Sequence, residues 1–269
     1  MIGLIRPIGP MFLSLIGLML FFFAQPAHAG TFSDAGLDEK VGNTIPPGLV
    51  LYDENGKSIR FAELSGRPLI LTLVYYRCSH ICPQMLEGLA RALADLQLEP
   101  GKDYSVITLS FDDTDTPADA RDRKRNYLKA VSKPYPEKAW RFLTGSRESI
   151  ERLLETTGIG VKRGTHGFVH PEVLVFVSPS GRITRYLYAD KFHYGGSYPV
   201  TFSPTVLTSA INEASREQLG ISEGRTPLYC FSHEPAMQEK FFNILKISGA
   251  VTLICSIALF LYLRSGRRN

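Results

Sequence analysis

What this sequence most lacks is charge of one sign. Thirty Lys and Arg against 26 Asp and Glu leave a formal net charge of +4 over 269 residues. The cations are scattered rather than striped along one face, which removes the electrostatic footprint of a nucleic-acid binder. Internal repeats and low-complexity tracts are also absent, which sets aside repeat arrays. Cysteine is scarce, with four in all, and there are six histidines. Those few residues carry most of what can be read about function. The length suits one sizeable domain with targeting segments, or two small domains.

Both ends carry apolar runs. At the N-terminus, Arg6 precedes an uncharged stretch from Met11 to Ala24, and Ala27-His28-Ala29 places small residues where a signal peptidase reads. This is the layout of a cleaved export signal over residues 1–29. An uncleaved anchor needs about 20 apolar residues, and this run breaks earlier, at Gln25-Pro26. At the C-terminus, Ile247 to Leu263 carries no charge. Extended back to Ile244, with the Lys246 stem snorkelling outward, it approaches the roughly 30 Å of a bilayer core. No polar face is present, which argues against a buried core helix. Arg264, Arg267 and Arg268 follow at once, and positive charge beyond a span marks the cytoplasmic side. The expected organisation is therefore a cleaved signal, an exported domain over 30–240, a transmembrane helix over 244–263 and a basic cytoplasmic tail over 264–269. The domain would face an oxidising space, most simply a bacterial periplasm, tethered to the inner membrane.

Within 30–240 the pattern alternates strand and helix. "PLILTLVYY" and "YSVITLSF" read as buried central strands. "PQMLEGLARALADLQL" spaces Met85, Leu86, Leu89, Leu93 and Leu96 as one helical face. Thr116-Pro117 and Ser203-Pro204 each pair a cap with a first-turn proline, and Ser146 opens a further helix. "EVLVFVSPSGRITRYLY" reads as a hairpin around Pro179-Ser180-Gly181. "LVLYDENGKSIRFAEL" reads as a short N-terminal hairpin turning at Asn55-Gly56. This order predicts a thioredoxin-like α/β domain, a mixed sheet flanked by helices with a hairpin extension.

Cys78 and Cys82 lie where the first central strand gives way to a helix, with Pro83 suited to its first turn. The spacing predicts Cys82 near the N-cap and Cys78 in the preceding turn. Exposed amide hydrogens and the positive end of the helix dipole favour thiolates there. Thiolates bind metals and attack disulfides. Three residues, "SHI", separate the pair, where the disulfide exchangers of this fold carry CxxC. A structural disulfide, a redox pair and half of a metal site all remain open. Among the histidines (His80, His166, His170, His193 and His233), His170 is best placed, just before "EVLVFV" in a loop that should face the helix N-terminus. Two thiolates and an imidazole make a soft, low-coordinate site suited to copper. Structural zinc wants a fourth protein ligand, and none is obvious.

"VYYRCSHICPQML", "SFDDTDTP", "WRFLTG" and a histidine ahead of "VFVSPSGRITRYLY" resemble the Sco/SenC family of membrane-anchored copper proteins. The likeness spans roughly Gly48 to Pro235, and "TPLYCFSHEP" resembles a bacterial branch of that family. The resemblance implies Cys78, Cys82 and His170 as ligands of one copper ion. It also implies a role in assembling the copper A centre of cytochrome c oxidase, with subunit II as client and periplasmic copper donors or thiol reductants as partners. In "GTHGFVHPE", His170 is favoured over His166 by its distance to the "SPSG" turn. Pro171 falls where thioredoxins keep a cis-proline beside their redox cysteines, which keeps a thiol–disulfide role open.

Other residues have plainer readings. His80 and His193 are expected as exposed loop residues, and Cys230 and His233 as parts of a tail segment, although a third exported cysteine could exchange with the pair. Cys255 reads as apolar filler within the span. Asp112, Asp113 and Asp115 are expected on a solvated loop, and Met85 and Trp140 in the core. The leading expectation is a copper carrier rather than an enzyme. Its rivals are a thiol–disulfide oxidoreductase that reduces the client's cysteines, and a copper or redox sensor.

Overall fold

The computed structural model describes residues 35–79, 81–164, 167–188 and 200–222, the pair 228–229, and a few positions between 246 and 257. Its elements in chain order are β1 (Gly36–Leu37), β2 (Val50–Tyr52), β3 (Ser58–Arg60), α1 (Phe61–Leu64), β4 (Leu69–Val74), α2 (Ile81–Asp95), β5 (Ser105–Ser110), α3 (Pro117–Ala130), β6 (Trp140–Gly145), α4 (Arg147–Thr157), β7 (Ile159–Gly160), β8 (Lys162–Gly164), β9 (Gly167–Val169), β10 (Pro171–Val177), β11 (Ile183–Tyr188), α5 (Pro204–Ser215) and β12 (Leu228–Tyr229).

The central sheet runs β11-β10-β4-β5-β6-β2-β3. Strands β4, β5 and β6 are parallel, as buried apolar runs linked by helical crossovers should be. The β10–β11 hairpin adds antiparallel on one side, and β2 adds antiparallel to β6 on the other. The predicted α/β, thioredoxin-like architecture is therefore present. The predicted N-terminal hairpin is present, and it forms the edge of the main sheet. Its turn uses Gly56 at φ +78°, where Asp53 accepts from the amides of Asn55 and Lys57. Beyond the turn, Arg141 of β6 pairs with Asp53 and Glu54, and Lys124 of α3 pairs with Glu54.

The caps follow the sequence closely. Thr116 accepts from the Asp119 amide while the Asp119 carboxylate accepts from Thr116, a reciprocal capping box before Pro117. Ser146 caps α4 through the Ser149 amide, and Gly158 ends that helix in the left-handed conformation. Ser203 stands at the N-cap of α5, but its side chain makes no capping bond. No cis peptide occurs among the described residues, so the bond before Pro171 is trans. Pro171 instead opens β10, a strand position that tolerates the missing amide hydrogen.

Met85, Leu89 and Leu93 of α2 are fully buried, as is Trp140. The indole of Trp140 donates to the Thr108 hydroxyl at 2.9 Å, and the Thr72 hydroxyl donates to the same oxygen at 2.9 Å, so the polar groups of these three core residues are matched. Among the described residues no helix is long and apolar enough to cross a membrane. The expected signal lies wholly outside the described residues. The expected span lies mostly outside them, and its described positions are helical, with Cys255 exposed.

Gly88 lets the backbone at Val200 come close to α2. A Cβ there would stand 2.2 Å from the Val200 carbonyl oxygen, which is backbone and cannot swing aside. Gly→Ala inside a helix ordinarily stabilises by about 0.5–1 kcal/mol. Here Gly88→Ala is expected to destabilise, and urea unfolding of the two proteins checks the sign; a gain in stability would show the contact to be slack.

Candidate metal centre

The carboxyl ends of the parallel strands all point to one edge of the sheet, where open α/β sheets bind ligands. Cys78 lies in the turn that follows β4, its amide donating to the Tyr75 carbonyl at 3.2 Å. That turn is held by the loop after β5. Asp115 accepts from the Tyr76 amide at 2.7 Å, the Ser110 hydroxyl at 2.6 Å and Arg77 Nε at 2.9 Å, and Asp112 accepts from Arg77 Nη2 at 3.1 Å. These aspartates were expected on a solvated loop. Asp112 and Asp115 are instead buried, because they neutralise Arg77 and satisfy the backbone of the cysteine turn. Burial raises the Asp115 carboxyl above its ordinary range, against the pull of the Ser110 and Tyr76 hydrogen bonds.

Helix α2 begins at Ile81, so Cys82 is not its cap but a residue of its first turn. The dipole argument for a thiolate holds in either position. Cys78 and Cys82 are both buried and are not joined as a disulfide. A small, partly open pocket is lined by both, together with Tyr76, Arg123 and Tyr127.

His170 arrives from the other side. Strand β10 pairs antiparallel with β4, Leu174 opposite Thr72 and Val177 opposite Leu69. The start of β10 is thereby carried to the end of β4, beside the cysteine turn. The imidazole is wholly buried, edge-on to Phe111 with centroids 4.7 Å apart and to Tyr75 at 6.1 Å. Phe168 packs on both of those rings, and Arg163 lies over its outer face, 4.5 Å from the centroid. His170 Nδ1 lies 3.2 Å from the Pro171 carbonyl oxygen. A carbonyl only accepts, so Nδ1 carries the proton and Nε2 offers its lone pair. Nε2 stands 3.6 Å from Cys82 Sγ.

Glu172 is the residue that the sequence did not reveal. Two positions after His170, it points to the same side of the strand, a period-2 relation that could have flagged it. Its Oε1 lies 3.1 Å from His170 Nε2 and 3.9 Å from Cys82 Sγ. Ligand atoms of Cys82, His170 and Glu172 all fall within 4.8 Å of one another. Cys78 is not a member of that close trio, yet a thiolate there opposes burial at His170 and adds to it at Glu172, in both cases as the smaller effect. Burial dominates at both: it lowers the imidazole to about 4 and lifts the Glu172 carboxyl well above its ordinary value. The ring is thus neutral near pH 7, the state a metal ligand requires. A sulfur, an oriented nitrogen lone pair and a carboxyl oxygen in a dry aromatic box fit a thiophilic cation. His80, His166, His193, Cys230 and His233 lie outside the described residues.

Comparison with known proteins places the chain. A family model described as SCO1/SenC matches residues 39–193. The SCO1 protein homolog of Bacillus subtilis (strain 168) is 26% identical over 138 residues, covering 49% of this chain and 68% of that protein. A crystal structure from Aquifex aeolicus VF5 is similar with a TM-score of 0.56 at 26% identity, over 65% of this chain and 95% of that one. The copper-bound ScoI of Arabidopsis thaliana has a TM-score of 0.49 at 21% identity, over 66% of this chain and 99% of that one.

The buried carboxyl has a consequence for stability. Folding keeps a proton on Glu172 that the unfolded chain surrenders above its ordinary pKa of 4.5. This group therefore costs more stability as pH rises from there toward its raised folded value. Glu172→Gln, whose amide can donate to Nε2, is expected to raise the melting temperature of the metal-free protein at pH 7 and to leave it unchanged near pH 4. Equal effects at both pH values in thermal melts would contradict a neutral buried carboxyl.

Proposed function

The chain belongs to the SCO1/SenC family, and from that premise we propose that it is a copper carrier serving assembly of the copper A centre of cytochrome c oxidase. The observation that carries this reading is the approach of Cys82 Sγ to the lone-pair nitrogen of His170, 3.6 Å apart and both buried. The residues come from elements 88 positions apart in the chain. Nothing about packing requires a thiol and an imidazole to meet there.

In this reading Cys78 and Cys82 lose their protons as the copper ion enters, and neutral His170 completes the site. The cavity shared by the two cysteines gives an incoming client thiolate a side from which to attack the metal. Each new client–copper bond then replaces one bond to this chain, and copper passes without change of oxidation state. Subunit II of the oxidase, with its cysteine-bearing copper site, is the client this chemistry suits. Export by residues 1–29 and tethering by 244–263, with the domain in the periplasm and the tail in the cytoplasm, complete the proposal. Confinement to the client's membrane raises the effective concentration of the carrier.

A second reading draws on the same cavity. Two cysteines lining one partly open space, one of them in a helix first turn, also suit disulfide exchange with the client's oxidised cysteines. That chemistry converts the client disulfide to two thiols while Cys78 and Cys82 become the disulfide, and it does not use His170.

His170→Ala separates the two. The carrier reading predicts that reduced protein titrated anaerobically binds one copper with thiolate charge-transfer bands. It also predicts that the variant loses at least ~10-fold in affinity and fails to restore oxidase activity to cells lacking the chain, while its thiol–disulfide exchange rate is retained. Full oxidase activity with the variant would transfer the function to the reductase reading.

A further inference from the structure

Glu172 has no task in a carrier built from two sulfurs and an imidazole. Its side chain is 1% exposed, at the second position of a strand whose every residue is buried. Its Oε2 has no hydrogen-bond partner among the described residues, and the ionisable groups around the carboxyl are His170, Cys82 and Cys78. Native proteins rarely leave a buried carboxyl oxygen unmatched.

The geometry around Oε1 sharpens the point. The proton of His170 is on Nδ1, donated to the Pro171 carbonyl, so Nε2 presents a lone pair. An ionised Glu172 also presents only lone pairs. Two acceptors 3.1 Å apart, with a sulfur 3.6 Å from one and 3.9 Å from the other, converge on a place for a positive centre. A cation there would meet nitrogen, oxygen and sulfur at once, and the spare Oε2 could join as a second oxygen.

Resting on the copper reading above, we infer that Glu172 is an oxygen ligand of this site and biases it toward divalent rather than monovalent copper. The chemistry follows from softness and from charge. Monovalent copper is satisfied by soft thiolates in low coordination, whereas the divalent ion takes tetragonal sets that include nitrogen and oxygen. Two thiolates and a carboxylate carry three negative charges. A divalent ion leaves one of them uncompensated in a dry pocket and a monovalent ion leaves two, which burial penalises further. The carboxylate therefore contributes more to the higher oxidation state than to the lower.

The test compares the full chain with Glu172→Gln, which keeps the side-chain shape and a donor for Nε2. Affinities are measured for copper(I) by competition with a chromophoric chelator and for copper(II) by electron paramagnetic resonance. Cobalt(II), which does not oxidise thiols, serves as a second divalent probe. The variant is expected to lose ~10-fold or more toward copper(II) and cobalt(II) while staying within about threefold toward copper(I). X-ray absorption of the copper(II)-loaded unsubstituted chain should show two nitrogen or oxygen scatterers beside sulfur, a readout that does not depend on the variant. Equal losses in both oxidation states, no loss in either, or a single light scatterer in that spectrum would overturn the assignment. Should the unsubstituted chain bind copper in neither state, the carrier reading falls with it. Should it bind both, and the variant likewise, only the role of Glu172 falls.

Discussion

The site depends on one backbone relation, the antiparallel pairing of β10 onto β4. Its register, with Leu174 opposite Thr72, fixes where β10 begins relative to where β4 ends. A slip of one residue would turn every side chain of β10 to the other face of the sheet. His170 and Glu172 would then leave the side on which α2 presents Cys82. The register is held by burial on both faces of both strands, so the geometry of the candidate site is enforced by the core itself.

Around this relation the protein arranges polar groups in two different ways. On the outer side of the cysteine turn everything is matched: Asp115 and Asp112 take Arg77, Ser110 and the Tyr76 amide, and Arg163 adds to Asp112. That network makes the turn stiff and holds Cys78 where it is. On the inner side, beneath Phe111, Phe168 and Tyr75, the Glu172 carboxyl meets only the lone-pair nitrogen of His170 and the Cys82 sulfur, and its Oε2 is unmatched. A stiff frame around an under-satisfied pocket suits a place built for a cation. The aromatic cover also excludes water, which strengthens any bond formed inside.

Much of this was legible in the sequence. Buried strands announced themselves as apolar runs, caps as Thr116-Pro117 and Ser146, and turns as Asn55-Gly56 and Pro179-Ser180-Gly181, because each rests on local chemistry. The meeting of Cys82 with His170 could be anticipated from fold order, since strand ends and helix starts share one edge. Three things could not. Burial of Asp112 and Asp115 depends on Arg77 and Arg163, cations that the linear sequence does not place beside them. The hairpin's attachment to β6 depends on tertiary pairing. Glu172 is one acidic residue at the head of an apolar run, and nothing in the linear sequence places Cys82 across from it.

The most direct measurement is a crystal structure of the reduced protein loaded with copper, with the metal located by its anomalous scattering. The account predicts one strong peak bonded to Cys82 Sγ and His170 Nε2, with Cys78 drawn in as a further sulfur. A peak bonded elsewhere on the chain, or a site empty after loading while the fold is intact, would contradict it.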